Sequence, residues 1–319
     1  MYVSYRYVCL LALLPAAFAC QSPPATSSDT DQQQLVPKVE YTLTGEQTHN
    51  KFSKNIPPVL RVPSGAVIEA LTQDASHGQF DMNSTAADLD SFDFSPVHPL
   101  TGPVYVEGAM PGDVLKVTLH KIELGDYGWN AILPGFGFLA DTLDFKYLKM
   151  YELGADKEWV AFNDKIRIPL KPFAGVMGVA PDTEELLSTI PPRANGGNMD
   201  DPNLTEGTTV YFPVFVEGAL FSIGDAHAAQ GLGEVCGTAI EAPMRFVYQL
   251  EVVKGRSIAE PQYETADYYA TTGFGTTIDE AAKKAVLYML QYLEEQHGLS
   301  TEEAYALCSL AGDLKIAEV

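Results

Sequence analysis

Val210–Glu241 reads VYFPVFVEGALFSIGDAHAAQGLGEVCGTAIE. Its first seven residues, Val210–Val216, form a short β-branched and aromatic run closed by a glycine turn, the pattern of a strand rather than a helix. Ala66–Leu71 (AVIEAL), Val114–Leu119 (VLKVTL) and Arg245–Val253 (RFVYQLEVV) repeat the pattern, and Pro111-Gly112, Pro134-Gly135 and Gly196-Gly197 punctuate the chain as turns. Helix is expected only near the end. Thr277-x-x-Glu280 opens a segment whose apolar positions Ile278, Ala282, Ala285, Met289 and Leu293 recur every three to four residues, with Gly298 as its stop. Ser300-x-x-Glu303 opens a second helix that ends near Gly312. Many strands followed by two helices define an α+β, mainly β fold built from sandwich- or barrel-like units.

The remainder of the opening stretch carries chemistry. Glu217, Asp225, His227, Gln230, Glu234 and Glu241 stand among glycines and alanines that let the backbone fold tightly. Asp225 and His227 are two apart, so on extended backbone they share a face, as a metal pair or as a base with its orienting carboxylate. A glycine-rich hairpin with polar groups satisfying its turns explains that pair equally well; the density of the whole cluster favours a site. Cys236, between Val235 and Gly237, reads as a core thiol, with a nucleophile served by His227 as the lesser alternative.

The first residues bear on location. Val8–Ala19 is an apolar run too short to span a bilayer, and residues 1–19 are expected to be a signal peptide. Ala17-Phe18-Ala19-Cys20 is an imperfect lipobox: either Cys20 becomes a lipid-anchored first residue, or cleavage after Ala19 leaves it free. Residues 20–37 are polar and Ser/Thr/Pro-rich, a flexible tether before a region expected over 38–319. The expected location is export, to the periplasm or to a membrane tether. Lys+Arg 20 against Asp+Glu 42, net −22, argues against nucleic acid as a partner.

Val104-Tyr-Val-Glu-Gly-Ala-Met is echoed by Val214-Phe-Val-Glu-Gly-Ala-Leu, each followed by Gly-Asp, which puts Glu107 and Glu217 in comparable positions.

Five segments, HPLTGPVYVEGAMPGD (His98–Asp113), PGFGFL (Pro134–Leu139), KPFAGVMGVAP (Lys171–Pro181), PPRANGGNMD (Pro191–Asp200) and GALFSIGDAHAAQGLGE (Gly218–Glu234), resemble, in order, the acetamidase/formamidase family. The resemblance implies a β-rich fold with an α/β C-terminal part, hydrolysis of small linear amides to carboxylate and ammonia, homo-oligomerisation and a divalent metal such as zinc. On that reading Asp225 and His227 are metal ligands, Asp74 and His77 complete the shell, and Glu234 moves the proton. Glu107 and Glu217 are further catalytic candidates, and Asn195-Gly196-Gly197 offers N–H groups to substrate. His98, between Pro96 and Pro99, is expected to order a turn. One departure stands out: Gly231-Leu232-Gly233-Glu234 replaces the family's usual Gly-Asp-Gly-Glu. Leu232 keeps a rival class open, a catalytically impaired or non-catalytic exported lipoprotein using the fold as a binding module.

Overall fold

The computed structural model describes residues 2–4 and 36–319, so the expected leader and tether lie almost wholly outside the described residues. Two sheets face each other. One runs, in spatial order, Tyr41–Leu43, Ala66–Thr72, Met244–Val253, Val114–Leu124, Thr209–Pro213, Gln262–Glu264 and Tyr268–Thr271, with Tyr2–Ser4 and Gly312–Asp313 beyond. The other runs Gly196–Asn198, Phe173–Gly178, Phe221–His227, Leu100–Val106 and Thr48–His49. In Val114–Leu124 the apolar Leu115, Val117 and Leu119 are buried while Lys116, Thr118 and His120 are half-exposed, the period-two pattern of a strand with one face on a core. That core lies between the sheets: Phe221 packs its ring edge-on to Tyr248 of the opposite sheet, 5.4 Å between centroids.

The mainly β expectation holds. The helices form at Ile278–His297 and Thr301–Ala311, capped by Thr277 and Ser300, with Gly298 left-handed at φ 66°. Ser300 and Glu303 make the full reciprocal cap. At the first helix the Glu280 carboxylate instead accepts from Thr276, so only half the box forms. Met289, Leu293, Ala304 and Cys308 pack the pair onto Val114, Tyr211 and Tyr269. The run at Val210–Val216 stops being a strand at Pro213. Phe221–His227, by contrast, is a strand buried along its whole length, and it carries Ser222, Asp225 and His227 inward. Burying that much polarity in an interior strand requires partners.

The two echoed segments meet in space. Val106 N–H donates to Gly218 O, Gly218 N–H to Ala109 O and Gly112 N–H to Val214 O, each at 2.9 Å.

Candidate active site

Gly175 is where the site is built. It sits on Phe173–Gly178 beside Phe221–His227, and a Cβ there would lie 2.5 Å from Asp200 Oδ1, 2.7 Å from Asp225 O and 2.8 Å from His227 Cε1. The absent side chain lets three strands bring their polar groups together. Asp200 follows the Gly196–Asn198 strand, Asp225 and His227 end Phe221–His227, and Glu234 lies in the loop beyond. Glu241 is delivered by paired backbone bonds to Trp129, Trp129 N–H to Glu241 O at 2.9 Å and the reverse at 2.7 Å. Asp200, Asp225 and Glu234 all have left-handed backbone, φ 42°, 48° and 41°. Non-glycine residues adopt that conformation at a cost, and its repetition in one cluster marks a functional site.

His227 is the hub. Its Nε2 lies 3.0 Å from Glu241 Oε2 and 3.6 Å from Asp225 Oδ2, and His98 Nε2 reaches the same Asp225 oxygen at 3.6 Å. Its Nδ1 is 2.8 Å from Gln230 Oε1. Gln230 is oriented by its own amide, whose Nε2 donates to Asp200 O at 2.6 Å and Ala317 O at 3.2 Å. Gln230 Oε1 therefore accepts and Nδ1–H donates, so Nε2 is the nitrogen turned to Asp225 and Glu241, and in the neutral form its lone pair would face a cation held between them. Two carboxylate–histidine sets are close enough to share a cation: Asp225, His227 and Glu241, or Asp200, His227 and Glu234. Only Nδ1 of His227 approaches Asp200, at 3.6 Å, and Gln230 occupies it, so the first set is the better donor group.

Five carboxylates, Asp200, Asp225, Glu234, Glu241 and Glu318, line one cavity with His98 and His227. Burial and carboxylate neighbours push Glu234 up to about 8 and Glu241 up to about 6, and they raise Asp200 well above the usual carboxylate range. Burial likewise lifts Glu318 to about 7. Burial disfavours the charged forms of His227 and Asp225 too, yet their mutual attraction wins. Glu241 and Asp225 raise His227, while His98 and His227 hold Asp225 at about 2. Asp200 Oδ1, Asp225 Oδ1 and Glu241 Oε2 are buried acceptors with no hydrogen-bond donor. Such a surplus of buried carboxylate oxygens without donors fits a divalent cation, which would bring these groups to their charged forms.

The cavity, about 220 Å³, is apolar on its other walls apart from Asn198 and Thr238. Phe94 stacks edge-on to Phe92 at 4.7 Å and stands 6.2 Å from Phe136, with Leu133 and Ile190 alongside.

Of the residues singled out in the sequence, Asp225, His227, Gln230, Glu234 and Glu241 are brought together. The others require correction. Asp74 is buried but saturated: it accepts from Tyr127 Oη and Trp129 Nε1 at 2.9 Å, from Ser76 and Gly78 N–H at 3.0 Å, and from the Ser76 hydroxyl. It anchors the cavity wall instead of facing the cluster. His77 is exposed in the turn that follows. Glu107 and Glu217 are exposed on the echoed turns, and Glu217 accepts from Tyr105 Oη at 2.6 Å. Asn195 donates to Val179 O at 2.7 Å, while Gly196 and Gly197 pair with Gly178 and Met177 in the sheet, so none of the three lines the cavity. Leu232 is 47% exposed and does not line it either. His98 does more than order a turn, since it faces the cavity. Asp200, Asn198, Glu241 and Glu318 received no role from sequence. Glu241 stood in the acidic, glycine-rich cluster and Asp200 follows Gly196-Gly197 by three residues; Asn198 and Glu318 had no such signal.

A β-sandwich with a buried histidine–carboxylate centre beneath an apolar-walled cavity is the class that fold and site define. The chain belongs to the acetamidase/formamidase family, whose model matches residues 37–188 and 183–319. It is similar to the acetamidase of Mycolicibacterium smegmatis, 28% identical over 270 residues, 65% of this chain and 66% of that protein, just under two thirds of its length. Two solved structures are similar to it. The acetamidase of Bacillus halodurans has a TM-score of 0.82 and 34% identity over 87% of this chain and 92% of that one. A protein of Thermoanaerobacter tengcongensis described as a predicted acetamidase/formamidase has a TM-score of 0.80 and 38% identity, over 85% and 89%.

Proposed function

We propose that this chain hydrolyses the C–N bond of small linear amides to a carboxylate and ammonia. One observation carries the reading: carboxylates converge on a single buried histidine at the foot of an apolar cavity, in a chain whose relatives are named acetamidase. Asp225, His227 and Glu241 would hold a divalent ion, and zinc suits a nitrogen–oxygen donor set of this kind. Such an ion, when bound, polarises the amide carbonyl and lowers the pKa of a water to roughly 7. Gln230 keeps His227 in the tautomer that presents Nε2 to that group. Glu234, whose proton burial favours, would give it to the departing nitrogen. The phenylalanine wall takes the acyl group and keeps bulk water out.

The size of the cavity refines the substrate. At roughly 30 Å³ per water, a space of about 220 Å³ admits more than the four heavy atoms of acetamide. The expected result is a kcat/KM for ammonia release that rises from formamide through acetamide to amides with larger apolar acyl groups, roughly fourfold per buried methylene at about 0.8 kcal/mol each. No ammonia from any amide would overturn the function, and a profile that falls with chain length would overturn the role of the aromatic wall.

The proposal extends to setting. Residues 1–37 support export and a lipid anchor at Cys20, which would make the protein periplasmic or membrane-tethered. The exposed Phe138, Leu139, Leu143 and Val235 support self-association through that apolar face.

A further inference from the structure

Asn198 lines the cavity, is 7% exposed, and has a buried Oδ1 with no hydrogen-bond partner. Its Nδ2 donates to Glu318 Oε1 at 3.3 Å, and its backbone is fixed by pairing with Val176. This arrangement sets which end of the side-chain amide is free. With Nδ2 turned to Glu318, Oδ1 is the end of the amide left without a partner. Oδ1 is thereby the neutral, unpaired acceptor of a residue that lines the cavity. The other polar atoms there differ in kind. Thr238 Oγ1 is spent on Ala131 and Asn130, while Asp225 and Glu241 belong to the charged centre. His98 Nδ1 is also unpartnered, but an imidazole nitrogen donates or accepts according to tautomer and so does not discriminate.

We propose that Asn198 Oδ1 accepts a hydrogen bond from the substrate's amide N–H, with Glu318 as the positioning residue that aims it. Asn198 then determines specificity, selecting amides that bear an N–H over esters and N,N-disubstituted amides of the same acid. A buried acceptor left unpaired penalises a substrate that lacks the donor. The inference rests on the amide-hydrolase reading and adds to it the group that recognises nitrogen.

The test compares a primary amide with the methyl ester of the same acid in wild type and Asn198→Ala, with metal content measured in both. Amide kcat/KM is expected to fall roughly tenfold to a hundredfold, the scale of one lost hydrogen bond in a buried site, while ester kcat/KM holds or rises, because the acceptor left unpaired by the ester is gone, and metal content stays at the wild-type level. Where ester turnover is too slow, inhibition by the primary amide and by its N,N-dimethyl analogue gives the same comparison, and only the former should weaken. Asn198→Asp, which keeps an acceptor but loses the donor to Glu318, should retain more amide activity than Asn198→Ala. An equal fall for amide and ester would overturn the assignment as a merely structural effect. Loss of metal would overturn it by making Asn198 a ligand. A wild type inactive on every amide would instead remove the functional reading beneath it.

Discussion

His227→Ala yields a folded protein that releases no measurable ammonia and is purified without its divalent metal. His227 is 1% exposed, edge-on to Phe173 at 5.0 Å, and is the member common to both candidate cation sets. Its removal leaves Asp225 and Glu241 facing each other with neither a neutral donor nor a positive charge between them. The expected loss in kcat/KM is at least about a thousandfold, the scale reached when one member of a catalytic unit is deleted. Circular dichroism separates this from unfolding, and metal analysis separates loss of the ion from loss of the chemistry. Unchanged metal stoichiometry in the variant would contradict the ligand assignment.

Gly175→Ala is expected to do comparable damage by steric means alone. The added methyl would meet Asp200 Oδ1, Asp225 O and His227 Cε1 at 2.5–2.8 Å, closer than real Cβ contacts come. These neighbours belong to buried residues on paired strands, so the site must move to admit it. Stability should fall by about 1–3 kcal/mol, the usual cost of overpacking. Amide turnover should fall about a hundredfold or more, because displacing catalytic groups by as little as 1 Å has that effect. Paired measurement of kcat and thermal midpoint checks both. Wild-type turnover would show that the histidine–carboxylate centre tolerates displacement, which this account does not allow.

How much of this was legible in the sequence depends on how far apart in the chain the partners lie. The helices were readable because their caps are local: Thr277, Gly298 and Ser300 act within a turn of themselves. Asp225, His227 and Glu234 were readable because one segment carries them all. Asp200 and Asn198 arrive by the pairing of Gly196–Asn198 with Phe173–Gly178, and Glu318 arrives because Gly233 N–H donates to Ala317 O at 2.8 Å. No spacing in the sequence encodes those approaches. Asp74 shows the opposite error: a buried carboxylate near a histidine resembles a ligand, but its oxygens are consumed by Trp129, Tyr127, Ser76 and Gly78. Leu232 looked like a lesion in the site because of its neighbours in sequence. Its side chain is exposed and lies off the cavity.

The most direct test of the central claim removes the metal from wild-type protein with a chelator, measures ammonia release from its best amide, and then returns zinc or another divalent ion. The expected result is activity that disappears with the bound ion and returns in proportion to the ion taken up, with no recovery in His227→Ala. Full turnover by metal-free wild type would contradict it.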